Sequence, residues 1–444
     1  MKKSLVLFLA FIATSIGFAQ EKTTSFTLQE AIDYALEHNR TVINAGRDLE
    51  DAQHQKWQTI AGGLPQIDGA ISYQNQLKQP ISLLPGELAG GAPGTFIPIT
   101  FGQPQQASAT ATLRQQIFDG SYLVGVQATK TFIDFSKNNK EKTDLDVRKS
   151  VVEAYGNVLL ATESVSILEK NKTTLEKNLY ETKKIFENGL GDEESVEQLQ
   201  ITLSSVDNQL KNGIRLKKIT VQMLNLAMGL DTEHPTTLSE NLDVLAEKQI
   251  DINLLTSELN LANNVDYKMV VNLTEQRALE HKLERSRALP TLNAFVNYGS
   301  TSFSDKFNFL GSDAEWFDSS IMGFDLSIPI FSSHKRKAST ARAKIAMDKA
   351  ETQKTDVEES IRLQWANAKS EYTLAIEQYQ TAKENLGLAE RIEKKNQIKY
   401  TEGIATSFDL RQAQMQLYST QQEFLQSMVD VINKKTALEI ILNN

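Results

Sequence analysis

A short acidic cluster beside one glycine turn and a single acid beside another are the side chains best placed for chemistry in this chain. Asp192, Glu193 and Glu194 follow Gly189-Leu190-Gly191, and Asp409 follows Gly403-Ile404-Ala405-Thr406. Glycine can take the positive φ that ends a helix, so Gly189 and Gly403 mark turns between helices. Leu190 and Ile404 then stand exposed at the tips, which is costly unless a partner covers them. Thr406-Ser407-Phe408-Asp409 fits a capping box, with Thr406 as N-cap and Asp409 at the third position, and an acid there also suits the helix dipole. This is chemistry of charge and docking. Acid–base catalysis has no constellation to support it. The remaining carboxylates belong to solvated helix faces. His38, His54, His234, His281 and His334 are scattered without metal-ligand spacing. No P-loop, G-x-S-x-G or HExxH occurs. The chain has no cysteine, which excludes thiolate catalysis, disulfides and cysteine-based metal sites. We expect no enzyme, no cofactor and no metal.

The elements that position those turns are long helices. All nine prolines fall at Pro65, Pro80, Pro85, Pro93, Pro98, Pro104, Pro235, Pro290 and Pro329. The stretches from Gln105 to His234 and beyond Pro329 therefore lack the commonest helix breaker, and both are rich in Ala, Leu, Glu, Lys and Gln. In the second, Ile361, Trp365, Ala368, Tyr372, Ala375, Tyr379, Ala382, Leu386 and Ala389 recur with 4-3 spacing. That is a coiled-coil seam. From Ser332 to Lys399 only Gly387 interrupts it, so the helix runs for about 100 Å at ~1.5 Å per residue.

The chain repeats itself. Ala35-Leu36-Glu37-His38-Asn39 matches Asn260-Leu261-Ala262-Asn263-Asn264, and Gly63-Leu64-Pro65-Gln66-Ile67 matches Ala288-Leu289-Pro290-Thr291-Leu292. Ile117-Phe118 matches Ile330-Phe331, and Phe186-Glu187-Asn188-Gly189-Leu190 matches Tyr400-Thr401-Glu402-Gly403-Ile404. Carried back by the same offset as the glycine turns, the seam falls on Val147, Val151, Ala154, Val158, Ala161, Val165, Leu168, Lys172 and Leu175, with Lys172 the one charged intrusion. We divide the chain into a signal peptide (1–19), repeat one (20–230), a linker (231–249) and repeat two (250–444). Each repeat is expected to run helix, strand, loop, strand, very long helix, tight turn, helix.

The expected strands alternate. Ile67, Gly69, Ile71 and Tyr73 share one face, with Gln66, Asp68, Ala70, Ser72 and Gln74 opposite; Leu292, Ala294, Val296 and Tyr298 keep that phase. In the return strands Ala109, Ala111 and Leu113 oppose Ser108, Thr110, Thr112 and Arg114, and Met322, Phe324, Leu326 and Ile328 repeat the pattern. Such segments suit a transmembrane β-barrel, and equally a soluble antiparallel sheet. Four strands do not close a barrel, so if they meet lipid several chains must share one. The proline-rich loop 79–106 and the aromatic loop 304–319 join the two strand pairs.

The N-terminus indicates export. Lys2 and Lys3 precede an apolar stretch from Leu5 to Phe18, and small residues stand at Gly17 and Ala19. This is the pattern of a secretory signal peptide cleaved after Ala19, leaving Gln20 first and no N-terminal cysteine to carry a lipid. An uncleaved anchor is the alternative, but the stretch is short for a span of ~20 residues. Elsewhere we expect no transmembrane helix. The net charge is −9, and an acidic chain without a basic block is a poor partner for nucleic acid.

With its two-fold repeat, Leu-Pro ahead of strands one and three, and paired helix-turn motifs, the chain resembles the TolC family of outer-membrane efflux proteins over nearly all of its mature length. The second motif, Thr401 to Gln414, is close to the family pattern; the first departs after Leu190, where Asp192-Glu193-Glu194 replaces small and hydroxyl residues. The resemblance implies an internally duplicated α+β membrane protein. A long coiled-coil α-helical tunnel would stand in the periplasm, and a transmembrane β-barrel would be shared between the subunits of a homotrimer in outer-membrane lipid. It implies adaptor docking at the tips (Gly189, Leu190, Gly191, Gly403, Ile404, Ala405, Thr406), with a periplasmic adaptor (membrane fusion protein) and an inner-membrane pump as partners. It places Asp409 in an acidic ring lining the periplasmic entrance, with Gln412 where a second acid often stands and Asp192, Glu193 and Glu194 as replacement charge. Mutual repulsion in such a ring would raise the carboxyl pKa values. Since the chain ends at Asn444, directly after helix, a small equatorial belt is expected. A periplasmic coiled-coil adaptor or scaffold is the alternative, but an adaptor would carry one helical hairpin between β-rich halves, and a scaffold would not need four alternating strands.

Overall fold

The computed structural model describes residues 24–443. The expected signal peptide, Gln20 and Asn444 lie outside the described residues. In chain order the structure has β1 (Thr24–Phe26), α1 (Leu28–His38), α2 (Arg40–Ala61), β2 (Gln66–Asn75), β3 (Ile81–Pro85), a 3-10 turn (Gly86–Ala89), β4 (Phe96–Thr100), β5 (Gln105–Asp119), α3 (Gly120–Glu187) and α4 (Glu193–Met228). Then follow β6 (Thr236–Leu238), α5 (Leu242–Lys248), α6 (Ile252–Thr256), α7 (Val265–Ser286), β7 (Thr291–Ser304), β8 (Phe317–Ser327), α8 (Lys335–Thr401) and α9 (Ser407–Leu442).

The duplication is visible in element lengths: α3 and α8 have 68 and 67 residues, and α4 and α9 have 36 each. It is visible in single contacts too. Asn39 donates through Nδ2 to the carbonyl of Ala227, and Asn264 donates to that of Ile441. Gly229 and Asn443 end α4 and α9 in the same left-handed conformation. The segment expected as a linker is ordered: β6 pairs in parallel with β1, and α5 follows it.

The chain folds as two compact units. The helical unit holds residues up to Leu49, Ser136–Val271 and Gln353–Asn444. Its core is the seam. Val147, Val151, Ala154, Val158, Ala161, Val165, Leu168 and Leu175 are buried, as are Ile361, Ala368, Tyr372, Ala375, Tyr379 and Ala389. Each fully buried large aliphatic side chain contributes roughly 1.5–3 kcal/mol. Lys172, at the charged position of the seam, escapes burial by reaching Asp207 of α4 at 2.6 Å. Lys172 and then Lys211 hold the Asp207 carboxyl down to about 2. The absence of a candidate membrane helix does not hold for α3, which contains a stretch long and apolar enough to cross a membrane by length and composition. Over half of that stretch is buried inside the protein, and burial is the physical reason α3 can be so apolar: it carries the first seam.

The strand unit holds Glu50–Phe135 and Asn272–Thr352. Its sheet has the order β2-β5-β7-β8, antiparallel throughout. The two strand pairs thus join through β5 and β7, and the outer edges of β2 and β8 are unpaired among the described residues. Loop 79–106 is more ordered than expected: β3 and β4 form a separate hairpin within it.

Candidate functional site

Both tips are built by backbone geometry. The amide of Gly189 donates to Phe186 and that of Leu190 to Ile185; the amide of Gly403 donates to Tyr400 and that of Ile404 to Lys399. These are paired Schellman closures, and both glycines take the positive φ the motif requires, 74° and 73°. The next residue is thrown outward: Leu190 is 82% exposed and Ile404 71%. Gly191, Thr406 and Gln412 are exposed, and Ala405 is half-buried.

The returning helices start on acids placed differently. Asp192 is the N-cap of α4, accepting from the amide of Ser195 at 2.7 Å and from its hydroxyl at 3.1 Å. In α9 the N-cap is Thr406, and Asp409 completes the capping box: its Oδ2 accepts from the Thr406 amide at 2.9 Å and hydroxyl at 2.6 Å. So the capping box read from the sequence is present. Ser195 occupies in tip one the position Asp409 occupies in tip two, and sequence reasoning passed over it; extending the glycine-to-glycine match by six residues reveals it. Its hydroxyl shares a hydrogen bond of 2.8 Å with that of Ser407 and ties the two helix starts together. Glu193 and Glu194 lie exposed in the first turn of α4.

Hydrogen bonds from the Thr406 hydroxyl and then its amide hold the Asp409 carboxyl below the usual range. The Ser195 amide and then its hydroxyl do the same for Asp192. Within one chain this is the reverse of the elevation expected of a crowded ring, because each acid faces donors rather than other acids. Further from the tip, burial pushes the Glu393 carboxyl up. Among the described residues no three His, Asp or Glu side chains gather as metal ligands.

The sheet has two chemically distinct faces. Ile67, Leu113, Val296 and Met322 stand in one row across all four strands, and Phe118, Leu292 and Leu326 in another on the same face. Ile67, Ile71, Met322 and Phe324 are all largely exposed on it. The opposite face is the more polar one, although Phe303, Phe317 and Ile321 also stand on it. Arg114 pairs with Asp68 at 3.1 Å, Asn297 donates to the Thr112 hydroxyl at 2.7 Å, and Ser72 and Ser108 share a hydrogen bond of 2.7 Å. Phe295 intrudes on the polar face, where Gly323 leaves it room: a β-carbon there would lie 2.7 Å from its ring. An apolar exposed face and a hydrogen-bonded polar face are what a wall between lipid and water needs.

Solved structures share this fold. The outer membrane protein VceC of Vibrio cholerae superposes with a TM-score of 0.72 at 16% identity, covering 94% of this chain and 96% of its own. The CmeC outer membrane channel of Campylobacter jejuni gives 0.73 at 17%, covering 96% and 90%. The open-state MtrE outer membrane channel of Neisseria gonorrhoeae gives 0.73 at 18%, covering 94% and 89%. No curated protein sequence matches the chain significantly. The family model for the outer membrane efflux protein matches residues 31–230 and 258–444, both repeats and most of the chain, and the protein therefore belongs to the outer membrane efflux protein family.

Proposed function

We propose that this protein is the outer-membrane channel of a tripartite efflux or type I secretion system, a passive exit duct from periplasm to exterior. The family is one of outer-membrane transport channels, and the protein resides in the outer membrane with its helical unit in the periplasm. The observation that carries the finer reading is the sheet: two-faced, four strands wide and, among the described residues, unpaired at both edges. In lipid an open edge is untenable, and about eight strands are the practical minimum for closure. Three copies supply twelve. Leu216, Ile219, Met223 and Leu226 recur on α4 at 3-4-3 spacing and are exposed, which supports side-by-side packing of helices from neighbouring copies. The repeats 20–230 and 250–444 each give half of one subunit's wall. The tips at Gly189–Gly191 and Gly403–Thr406 dock the adaptor, which links the channel to an inner-membrane pump. Asp409, with Asp192, Glu193 and Glu194, lines the periplasmic entrance, and Gln412 stands one turn deeper without charge.

The adaptor and scaffold alternatives give way to the family match, which covers both repeats, and to the joining of both strand pairs into one sheet. The test is to extract the protein from outer-membrane fractions in mild detergent, measure its mass by light scattering, and express it in a strain lacking its own channel. A particle of three copies that restores export is expected. A monodisperse monomer with intact β-signal overturns the shared barrel; a stable trimer that restores no export, with a cognate adaptor and pump present, overturns the duct.

A further inference from the structure

The second strand pair is flanked by an excess of cations that the fold does not require. Between Lys335 and Lys344 at the start of α8 stand Lys335, Arg336, Lys337, Arg342 and Lys344, and no acid. The matching stretch of repeat one, 122–131, has only Lys130. Lys282 and Arg285 near the end of α7, and Arg287 just after it, add three more. Both groups lie at one end of the sheet, where Asp119, Thr291 and Ser327 form a single row. Local acids neutralise only two of them, Arg287 through Glu284 at 2.7 Å and Lys344 through Asp348 at 2.8 Å, and Glu280 is taken by Arg277 at 2.8 Å. Lys282 binds the neutral amide of Gln127 at 2.6 Å. Among the described residues Arg285, Lys335, Lys337 and Arg342 have no carboxylate partner.

Beside these cations lies a cleft of about 850 Å³. Its apolar wall includes Phe118, Leu123, Leu289 and Met347, and its polar wall is Gln127, His281, Lys282, Arg285 and Ser286. Phe118 also belongs to the exposed apolar face of the sheet, in one row with Leu292 and Leu326. The apolar face therefore runs without a break into a pocket rimmed by positive charge. Ile330 and Phe331, 88% and 79% exposed, continue the apolar surface immediately before the cations of α8.

We propose that this cleft binds an anionic phospholipid of the periplasmic leaflet. The headgroup phosphate sits between Lys282 and Arg285, and an acyl chain follows Phe118 onto the lipid-facing side of the sheet. The inference rests on the outer-membrane reading above, which makes this end of the sheet the periplasmic one. A cation near an anionic membrane surface gains about fivefold in affinity. The lack of such charge in repeat one makes the site one per subunit.

The test uses the purified full-length protein, stripped of lipid and placed in nanodiscs containing phosphatidylethanolamine with or without phosphatidylglycerol. Native mass spectrometry then counts the lipids each complex retains. Phosphatidylglycerol should be retained preferentially. The double variant Lys282→Gln, Arg285→Gln should weaken that preference by about 25-fold. The charge-keeping pair Lys282→Arg, Arg285→Lys should preserve it, and Lys130→Gln should not alter it. Equal retention of both lipids, or an unchanged preference in the double variant, overturns the inference. So does displacement of the lipid by millimolar inorganic phosphate, which would mark a free-anion site. Insertion without preference sinks this inference alone, whereas failure to enter any bilayer sinks the channel reading and this inference with it.

Discussion

The docking role of the tips can be tested by removing their apolar side chains while keeping their backbone. Leu190→Ser and Ile404→Ser leave the Schellman closures intact, because those bonds run from main-chain amides to the carbonyls of Ile185 and Lys399. Nothing inside the subunit loses packing of consequence, since the side chains are 82% and 71% exposed. The whole loss therefore falls on whatever covers them in the assembled system. Burying a large aliphatic side chain is worth about 2 kcal/mol. Scaled by these exposures, complete cover by an adaptor would contribute about 1.6 kcal/mol at Leu190 and about 1.4 kcal/mol at Ile404. Together the substitutions should weaken adaptor binding by about two orders of magnitude per subunit. Biolayer interferometry with immobilised channel and soluble adaptor measures this directly, and thermal melting of the variant checks that the fold is unchanged. Wild-type affinity in the double variant would refute tip docking, and a weakening below threefold would mean that the partner grips elsewhere along the helices.

Charge at the entrance is separable from capping. Asp409→Gln keeps a side chain able to serve the capping box but loses the charge, so it should lower single-channel cation selectivity in a planar bilayer with little change in melting; Asp409→Ala should do both. The depressed folded pKa of Asp409 means its capping contribution is fully present above the unfolded carboxyl value and fades as pH falls through the folded one. Hydrogen exchange at the start of α9 should accelerate only in that acidic window. Gly229→Ala should destabilise far more than Gly189→Ala: both glycines have positive φ, a cost of about 1–2 kcal/mol for alanine, but a β-carbon at 229 presses into the His38 carbonyl while 189 faces open space. Differential melting of the two variants checks this. Tyr372→Phe removes a hydroxyl that donates to the Gln249 carbonyl at 2.6 Å and accepts from the Asp251 amide at 2.9 Å. Each group left unpaired should cost about 1–3 kcal/mol, seen as faster exchange at Asp251.

What the sequence disclosed and what it hid have a common physical basis. Periodic burial is legible, so the seam, its duplication and the phase of the strands were all readable from residue types alone. Strand lengths were less so. β5 runs 15 residues and β7 14, because a bulge between Gln116 and Phe118 shifts the register and lets pairing continue past the point where alternation fails. The β3–β4 hairpin was hidden by Pro80, Pro85 and Pro98, which argue against strand. Proline is tolerated where a strand has a free edge, and in a two-stranded ribbon both strands do. Tyr155 was also missed. Its hydroxyl donates to the Phe26 carbonyl at 3.1 Å, as that of Tyr372 does to Gln249, yet it lies one turn out of step with the duplicated seam, and its partner is remote in sequence.

The tips show how far physical constraint alone accounts for the acids. Every long helix leaves amides unpaired at its start. In α4 the N-cap Asp192 accepts from the Ser195 amide and hydroxyl; in α9 the Thr406 hydroxyl accepts from the Asp409 amide while the Asp409 carboxylate accepts from the Thr406 amide. In both helices a carboxylate accepts from a main-chain amide at the start, so capping explains why each tip carries an acid. It does not explain Glu193 and Glu194. Neither serves as the cap, and α9 has Ser407 and Phe408 in their places. Ser407 is the residue that meets Ser195, so these surplus charges of repeat one stand next to the junction of the two tips. If they serve the entrance, Glu193→Gln with Glu194→Gln should reduce cation selectivity while leaving the melting temperature unchanged, because no main-chain amide of α4 depends on them and a glutamine at 194 can still accept from the Gln198 side chain. Selectivity equal to wild type in that variant would assign the entrance charge to Asp409 and Asp192 alone.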